Sequence, residues 1–203
     1  MFNPFIAILL SYLLGSIPFG FLLVKWVKGV DVRTQGSGNI GMTNVWRVAG
    51  AGWGIATLAL DIGKAVLAIW ISRLLTPGND QVIVLSGLAV LLGNVFSIFL
   101  KFKGGKGIGV SVGVFFSLLP FESAVGTGLF ILALLLTRMI SVGSLLGVTA
   151  MAALTLYHQG LTSYSLLALF AALVIWWTHR ENIKRIMNGT ERKIGKNKSV
   201  KRP

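Results

Sequence analysis

Four stretches of the 203-residue chain, residues 4–24, 82–100, 139–157 and 161–178, carry no charged side chain. Each approaches the ~20 apolar residues that an α-helix needs to cross hydrocarbon. A fifth, residues 51–72, is as apolar apart from Asp61 and Lys64, which lie three apart on one helical face and can neutralise each other. Between Gly107 and Thr137 the single charge is Glu122. Pro120-Phe-Glu-Ser123 in the middle predicts a reversal, because proline and a carboxylate both oppose a continuous lipid-facing helix. Dividing there yields two short segments, 107–120 and 123–137, of 14 and 15 residues. The pattern predicts an all-α, polytopic integral membrane bundle of seven transmembrane helices. One domain occupies residues 1–190, and a frayed basic tail follows over 191–203.

Charge orients the bundle. With seven spans, Lys25, Lys28, Arg33, Arg47, Lys101, Lys103, Lys106, Arg138 and the nine cations from Arg180 to Arg202 share one side, and Arg73 alone among loop cations lies opposite. The cation-rich side is cytoplasmic, so the N-terminus is outside and the C-terminus inside; six spans would export the basic tail. The first cation is Lys25, so the opening apolar run is a retained span and not a cleaved signal. The net charge of +13 belongs to loops and a tail beside anionic lipid, without the interleaved aromatics of a nucleic-acid surface. Zero cysteines exclude thiol catalysis and disulfides. Two histidines and six carboxylates scattered over different elements supply no metal set, and no cofactor is implied.

Three polar islands interrupt the apolar chain on the cytoplasmic side: GSGNIGMTNVWR at 36–47, KFKGGKG at 101–107 and HRENIKR at 179–185. The first satisfies G-x-G-x-x-G, yet a dinucleotide fold needs a soluble βαβ unit, and the next element here crosses lipid. What remains is anion-binding chemistry. Gly36, Gly38 and Gly41 turn the backbone, Ser37, Asn39, Thr43 and Asn44 add neutral donors, and Arg47 adds a planar fork. The second resembles half a P-loop but has Gly107 where Ser or Thr is required and lacks the motif's first glycine. Gly104, Gly105, Lys106 and Gly107 instead lead into a helix start whose free amides and lysine suit phosphate. In the third, His179 and Asn182 share a helical face and Glu181 can pair with Arg185. Ser141 and Ser144 share a face at the cytoplasmic end of the sixth span, equally suited to helix packing and to substrate contact. His158, on the opposite side, is assigned a structural role.

Together these residues resemble the bacterial acyl-phosphate:glycerol-3-phosphate acyltransferases of the PlsY type. Residues 36–47 are similar to the family's first motif, 103–107 to the core of its second, and His179-Arg-Glu-Asn-Ile-x-Arg185 with Gly189-x-Glu191 to its third. Asn94 and Ser97 stand where the second motif usually has histidine and proline, and Ile-Gly-Val follows Gly107 in place of Val-Ala-Thr. Asn94 is therefore assigned no catalytic part. The resemblance implies transfer of a fatty acyl group from acyl phosphate to the 1-hydroxyl of sn-glycerol 3-phosphate in a bacterial inner membrane, at a site facing the cytoplasm. Ser37, Lys106, His179 and Asn182 are the implied catalytic residues. Lys106, Ser37 and the amides of Gly104, Gly105 and Gly107 are assigned to acyl phosphate, and Arg47, Asn44, Thr43, Asn182 and His179 to glycerol 3-phosphate. The proton acceptor is either His179 or the substrate's own phosphate. The His-x-x-x-x-Asp motif of other glycerolipid acyltransferases is absent, since Lys184 follows His179 at that spacing and Ser163 follows His158. The partners implied are the two substrates and membrane lipid, not nucleic acid, and a monomer is compatible with all of this. Two alternatives stay open: a transporter for a phosphorylated solute, and an acyltransferase that uses coenzyme A or a carrier protein as donor.

Overall fold

The computed structural model describes residues 3–194, and those residues form helices, turns and loops without a strand. Helix α1 (Pro4–Ser16) breaks at Ile17-Pro18, where the proline can donate no amide, and resumes as α2 (Phe19–Lys28). An amphipathic α3 (Met42–Ala49) precedes the 25-residue α4 (Ala51–Leu75). Helix α5 (Asp80–Val95) starts where the Asn79 side chain accepts from the Val82 amide. Then come α6 (Ile108–Leu118), α7 (Pro120–Thr137), α8 (Ile140–Gln159), α9 (Ser163–Thr178) and the short α10 (Arg180–Met187). The α9 start is fixed by a capping box between Thr162 and Ser165.

Each expected span falls on helical structure, the first on the broken pair α1 and α2. Five are long and apolar enough to cross a membrane: Pro4–Lys28, Ala51–Leu75, Asp80–Leu100, Pro120–Thr137 and Ile140–Gln159. The other two, Ile108–Leu118 and Ser163–Thr178, are shorter. The packed interior lies where α5, α6 and α9 meet, with Val90, Leu91, Val110, Val114, Phe115, Ala171 and Ile175 almost fully buried. Large apolar side chains such as Leu135, Leu136 and Leu173 point outward instead, the arrangement lipid allows.

Asp61 and Lys64 do pair, at 2.8 Å. The reversal at Pro120 is tighter than a loop: Leu119 alone separates α6 from α7, and Pro120 occupies the first helical position, where its missing donor costs nothing. Glu122 is buried in the first turn of α7 and meets His158 Nδ1 at 3.2 Å, which ties the start of α7 to the end of α8. Glu181 pairs with Lys184, not with Arg185. Of the tail expected over 191–203, residues 195–203 lie outside the described residues, whereas Glu191 to Ile194 fold back: the Ile194 amide donates to the Arg138 carbonyl at 2.8 Å.

Candidate active site

The loop before α3 is organised around Asn44. Its side chain is buried; Oδ1 accepts from the Ser37 amide at 2.7 Å, and Nδ2 donates to the carbonyls of Val32, Gln35 and Asn39 at 2.9 to 3.1 Å. Gly36 has φ +60°, and a Cβ there would lie 2.2 Å from Asn44 Oδ1, so only glycine closes the loop over this amide. Asn44, expected from sequence to bind substrate, has its side chain bonded within the loop. Its polar atoms are committed to the loop, and its part is to hold Ser37 on one side and the α3 residues Thr43 and Arg47 on the other. Asn39 Oδ1 likewise accepts from the Gly41 amide at 2.9 Å and turns the chain into α3.

The second glycine loop leans on the end of α5. Gly104 N donates to Val95 O and Gly105 N to Asn94 O, both at 2.9 Å, and a Cβ on Gly104 would stand 2.1 Å from Asn94 O. These two amides, expected to face a phosphate, are spent on the protein. The amides left toward the cleft belong to the start of α6, where Gly107 caps the helix and Ser111 is the first residue to donate back, to Gly107 O at 2.8 Å. Lys106 is held from the far side by the Thr178 hydroxyl, 3.1 Å from its carbonyl.

At the junction of α9 and α10, His179 is 3% exposed and its Nδ1 lies 2.8 Å from the Ile175 carbonyl. A carbonyl only accepts, so Nδ1 carries the proton and Nε2 is the free acceptor. Asn182 bridges two charges: Oδ1 accepts from Lys106 Nζ, and Nδ2 donates to Glu191 Oε1 at 2.7 Å. Ser141 donates to the same oxygen at 2.9 Å and Arg185 Nε to the other at 2.7 Å, while Arg192 reaches the Gly36 carbonyl at 3.3 Å. Burial works to raise the Glu191 carboxyl, but hydrogen bonds from Asn182, Arg185 and Ser141 outweigh it and hold the group below its ordinary value.

One cleft of about 530 Å³ receives nearly all of these side chains. Of the residues expected from sequence, Ser37, Gly38, Asn39, Thr43, Asn44, Arg47, Gly105, Lys106, Gly107, Ser141, Ser144, His179 and Asn182 line it; Gly36 and Gly104 stand behind the loops they shape. Ser144 turns its hydroxyl onto the Ile140 carbonyl at 3.0 Å. Arg185, Glu191 and Arg192 also line the cleft. Sequence reasoning assigns them no part in the site, although Arg185 and Glu191 close the third motif. Four of the cleft's cations, Arg47, Lys106, Arg185 and Arg192, thus gather near the Glu191 carboxylate. Burial and then Arg185 push the Lys106 ammonium down to about 8, with Glu191 opposing. Burial and then Arg192 lower the Arg47 guanidinium, again against Glu191. Burial and then Lys106 push His179 down to about 4. The excess of positive potential over a partly desolvated cleft suits a multiply charged anion. Beyond the polar end the same cleft continues between α4, α6, α7 and α8 over Leu58, Ile62, Phe115, Phe116, Phe130 and Met151, an apolar arm.

A model of the glycerol-3-phosphate acyltransferase family matches residues 5–189. The chain belongs to that family. Among its relatives is a glycerol-3-phosphate acyltransferase of Myxococcus xanthus, 43% identical over 188 residues that cover 92% of this chain and 97% of the relative. Another, from Desulfotalea psychrophila, is 44% identical over 192 residues, covering 93% and 96%. The crystal structure of PlsY (YgiH), an integral membrane glycerol 3-phosphate acyltransferase, in its glycerol 3-phosphate form superposes with a TM-score of 0.89 at 32% identity, covering 95% of this chain and 96% of that one. Its lysophosphatidic acid form gives 0.86 at 31% identity, covering 95% of each. Membership of the glycerol-3-phosphate acyltransferase family makes the chain an integral membrane acyltransferase. Its cationic end and apolar arm have the two characters that a phosphorylated alcohol and a fatty acyl group require.

Proposed function

We propose that this acyltransferase moves a fatty acyl group from acyl phosphate to the 1-hydroxyl of sn-glycerol 3-phosphate, releasing inorganic phosphate and 1-acyl-sn-glycerol 3-phosphate, the first step of phospholipid synthesis. The observation that carries this reading is the continuity of a cation-rich cleft with an apolar arm. Lys106, the start of α6 and Ser37 hold the donor phosphate, the arm takes the acyl chain, and Arg47, Thr43, His179 and Asn182 hold glycerol 3-phosphate. Arg185 and Arg192 add charge, and Glu191 fixes Arg185 and Asn182 in place.

The hydroxyl oxygen attacks the acyl carbonyl carbon, a new ester bond forms, and the bond from that carbon to the phosphate oxygen breaks. Lys106 and the α6 amides stabilise the oxyanion and the departing phosphate. The hydroxyl proton passes to the glycerol phosphate, whose second pKa is about 6 by analogy with phosphoserine. His179, held near 4, is the weaker base; its Nε2 orients glycerol 3-phosphate by accepting from the neighbouring 2-hydroxyl.

The bundle is assigned seven crossings with the N-terminus outside, residues 1–190 as one domain and the cleft facing the cytoplasm of a bacterial inner membrane. Seven crossings bring the three cationic loops to the side rich in Lys and Arg. A monomer is compatible with this chemistry.

The test is incubation of purified protein in detergent with labelled glycerol 3-phosphate and, separately, acyl phosphate, acyl coenzyme A or acyl carrier protein. Lysophosphatidate formed from acyl phosphate, with one phosphate released per ester, is the expected result. Product from another donor, and none from acyl phosphate, overturns the donor assignment.

A further inference from the structure

The polar end of the cleft is rich in donors and short of acceptors. Hydroxyls aside, which give as well as take, nearly every side-chain acceptor on its wall is already engaged. Asn44 Oδ1 is taken by the Ser37 amide, Asn39 Oδ1 by the Gly41 amide, Asn182 Oδ1 by Lys106, and the Glu191 oxygens by Asn182, Ser141 and Arg185. Asp61 and Asn94 accept from Lys64, while Glu181 is exposed and paired with Lys184. Among the described residues no donor reaches the Nε2 of His179, which lines the same cleft.

This nitrogen is held as an acceptor. The ring is 3% exposed and its Nδ1 lies 2.8 Å from the Ile175 carbonyl, so moving the proton from Nδ1 to Nε2 would set two acceptors face to face. A second proton is opposed by burial and by the Lys106 ammonium, which hold the imidazole to about 4. At neutral pH a bound molecule therefore meets a lone pair here and no proton. A hydroxyl can turn its proton toward that lone pair. A carbonyl oxygen has none to turn, and brings a second lone pair against the first where water is largely excluded and an unmade hydrogen bond costs most.

We propose that His179 sets the enzyme's choice of acyl acceptor: its Nε2 admits a phosphorylated alcohol with a hydroxyl beside the reacting carbon and rejects the same phosphate with a carbonyl at that position. This rests on the glycerol 3-phosphate reading above and extends it from orientation to selection. The cations of the cleft do not make this distinction, because they answer the phosphate that the alcohol and the ketone share. The tautomer fixed by the Ile175 carbonyl makes it.

The experiment is initial-rate kinetics on the purified full chain in detergent, with the acyl donor saturating and the acceptor varied. The acceptors are glycerol 3-phosphate, its 2-deoxy analogue propane-1,3-diol phosphate and its 2-keto analogue dihydroxyacetone phosphate. In wild type, kcat/KM is expected to fall about 10-fold for the 2-deoxy analogue, which leaves Nε2 unpaired, and at least about 10²-fold for the 2-keto analogue. His179→Gln loses Nε2, so its 2-deoxy analogue should run within about 3-fold of glycerol 3-phosphate and its 2-keto analogue within about 10-fold. If His179→Gln does not fold, the three acceptors on wild type decide the matter. A 2-keto analogue used by wild type within about 3-fold of glycerol 3-phosphate, or the same acceptor ratios in wild type and variant, overturns the specificity role. Should wild type use a different acyl donor, the donor assignment fails, and the same ratios on the donor it does use still judge His179. Absence of ester from glycerol 3-phosphate with every donor is the separate sign that the acceptor reading itself fails, and it overturns this proposal with it.

Discussion

Replacing His179 by glutamine separates orientation from proton transfer. The imidazole is nearly inaccessible, gives its Nδ1 proton to the Ile175 carbonyl, and is held at about 4 by burial and by Lys106. The drop from 6.5 to about 4 corresponds to about 3 kcal/mol against protonation. Against a substrate phosphate near 6, His179 is the weaker base by about two units, again about 3 kcal/mol. The glutamine amide can still donate to the Ile175 carbonyl, while the Nε2 acceptor is lost. We therefore expect turnover to fall by less than about 10-fold and the KM for glycerol 3-phosphate to rise about 10-fold. The acid limb of the pH profile should stay near 6 in both proteins, because it reports the substrate. Stability carries the sign separately. Between pH 6.5 and about 4 the unfolded chain binds a proton that folded His179 refuses, so wild type loses stability on acidification through that window, by about 2 kcal/mol at pH ~5. The glutamine variant should lack that loss. Steady-state rates across the pH range and unfolding curves in detergent measure both. A drop in turnover of about 10²-fold or more at unchanged KM, with the acid limb abolished, refutes the orienting role and makes His179 the base.

Lys106 is a cation below about 8 and loses its charge as pH rises through that value, so wild-type activity should decline above pH ~8. Lys106→Arg should remove that alkaline limb, and Lys106→Met should cost at least about 10²-fold in kcat/KM, measured on acyl phosphate. Glu191→Gln removes the charge partner of the part-exposed Arg185 and is expected to cost about 1 kcal/mol in unfolding. Because Glu191 raises the Lys106 ammonium, the alkaline limb of that variant should also move below about 8. Asn44→Leu removes four hydrogen bonds, about 4 kcal/mol at ~1 each, and should raise the KM for glycerol 3-phosphate at least about 10-fold.

Much of the architecture is legible in the chain itself. Apolar runs mark helices because lipid leaves the backbone no other partner, and the three polar islands stand out against them, so their convergence follows from counting spans. Contacts between distant positions are what the chain does not disclose. Asn44 looks like one more donor in a donor-rich loop until its oxygen is found on Ser37 and its nitrogen on three carbonyls. Gly104 and Gly105 look like phosphate amides until the end of α5 is seen to take them. Glu191 reads as part of a solvated basic tail, because a single carboxylate among lysines gives no local sign of burial. Its third-motif context, Gly189-x-Glu191, is the available signal, and Ser141, far earlier in the chain, supplies part of its setting.

The unequal lengths of α6 and α7 bear on where the two reactants meet. The helices share a common turn at Leu119, but at ~1.5 Å per residue the 11 residues of α6 rise about 16 Å while the 18 of α7 rise about 27 Å. The start of α6, with Lys106 beside it, therefore ends roughly 10 Å short of the far end of α7. On the proposed reading, a water-borne anion would descend into this recess while a lipid-borne tail stays among other tails. Neither reactant would then have to leave its own solvent for the ester to form.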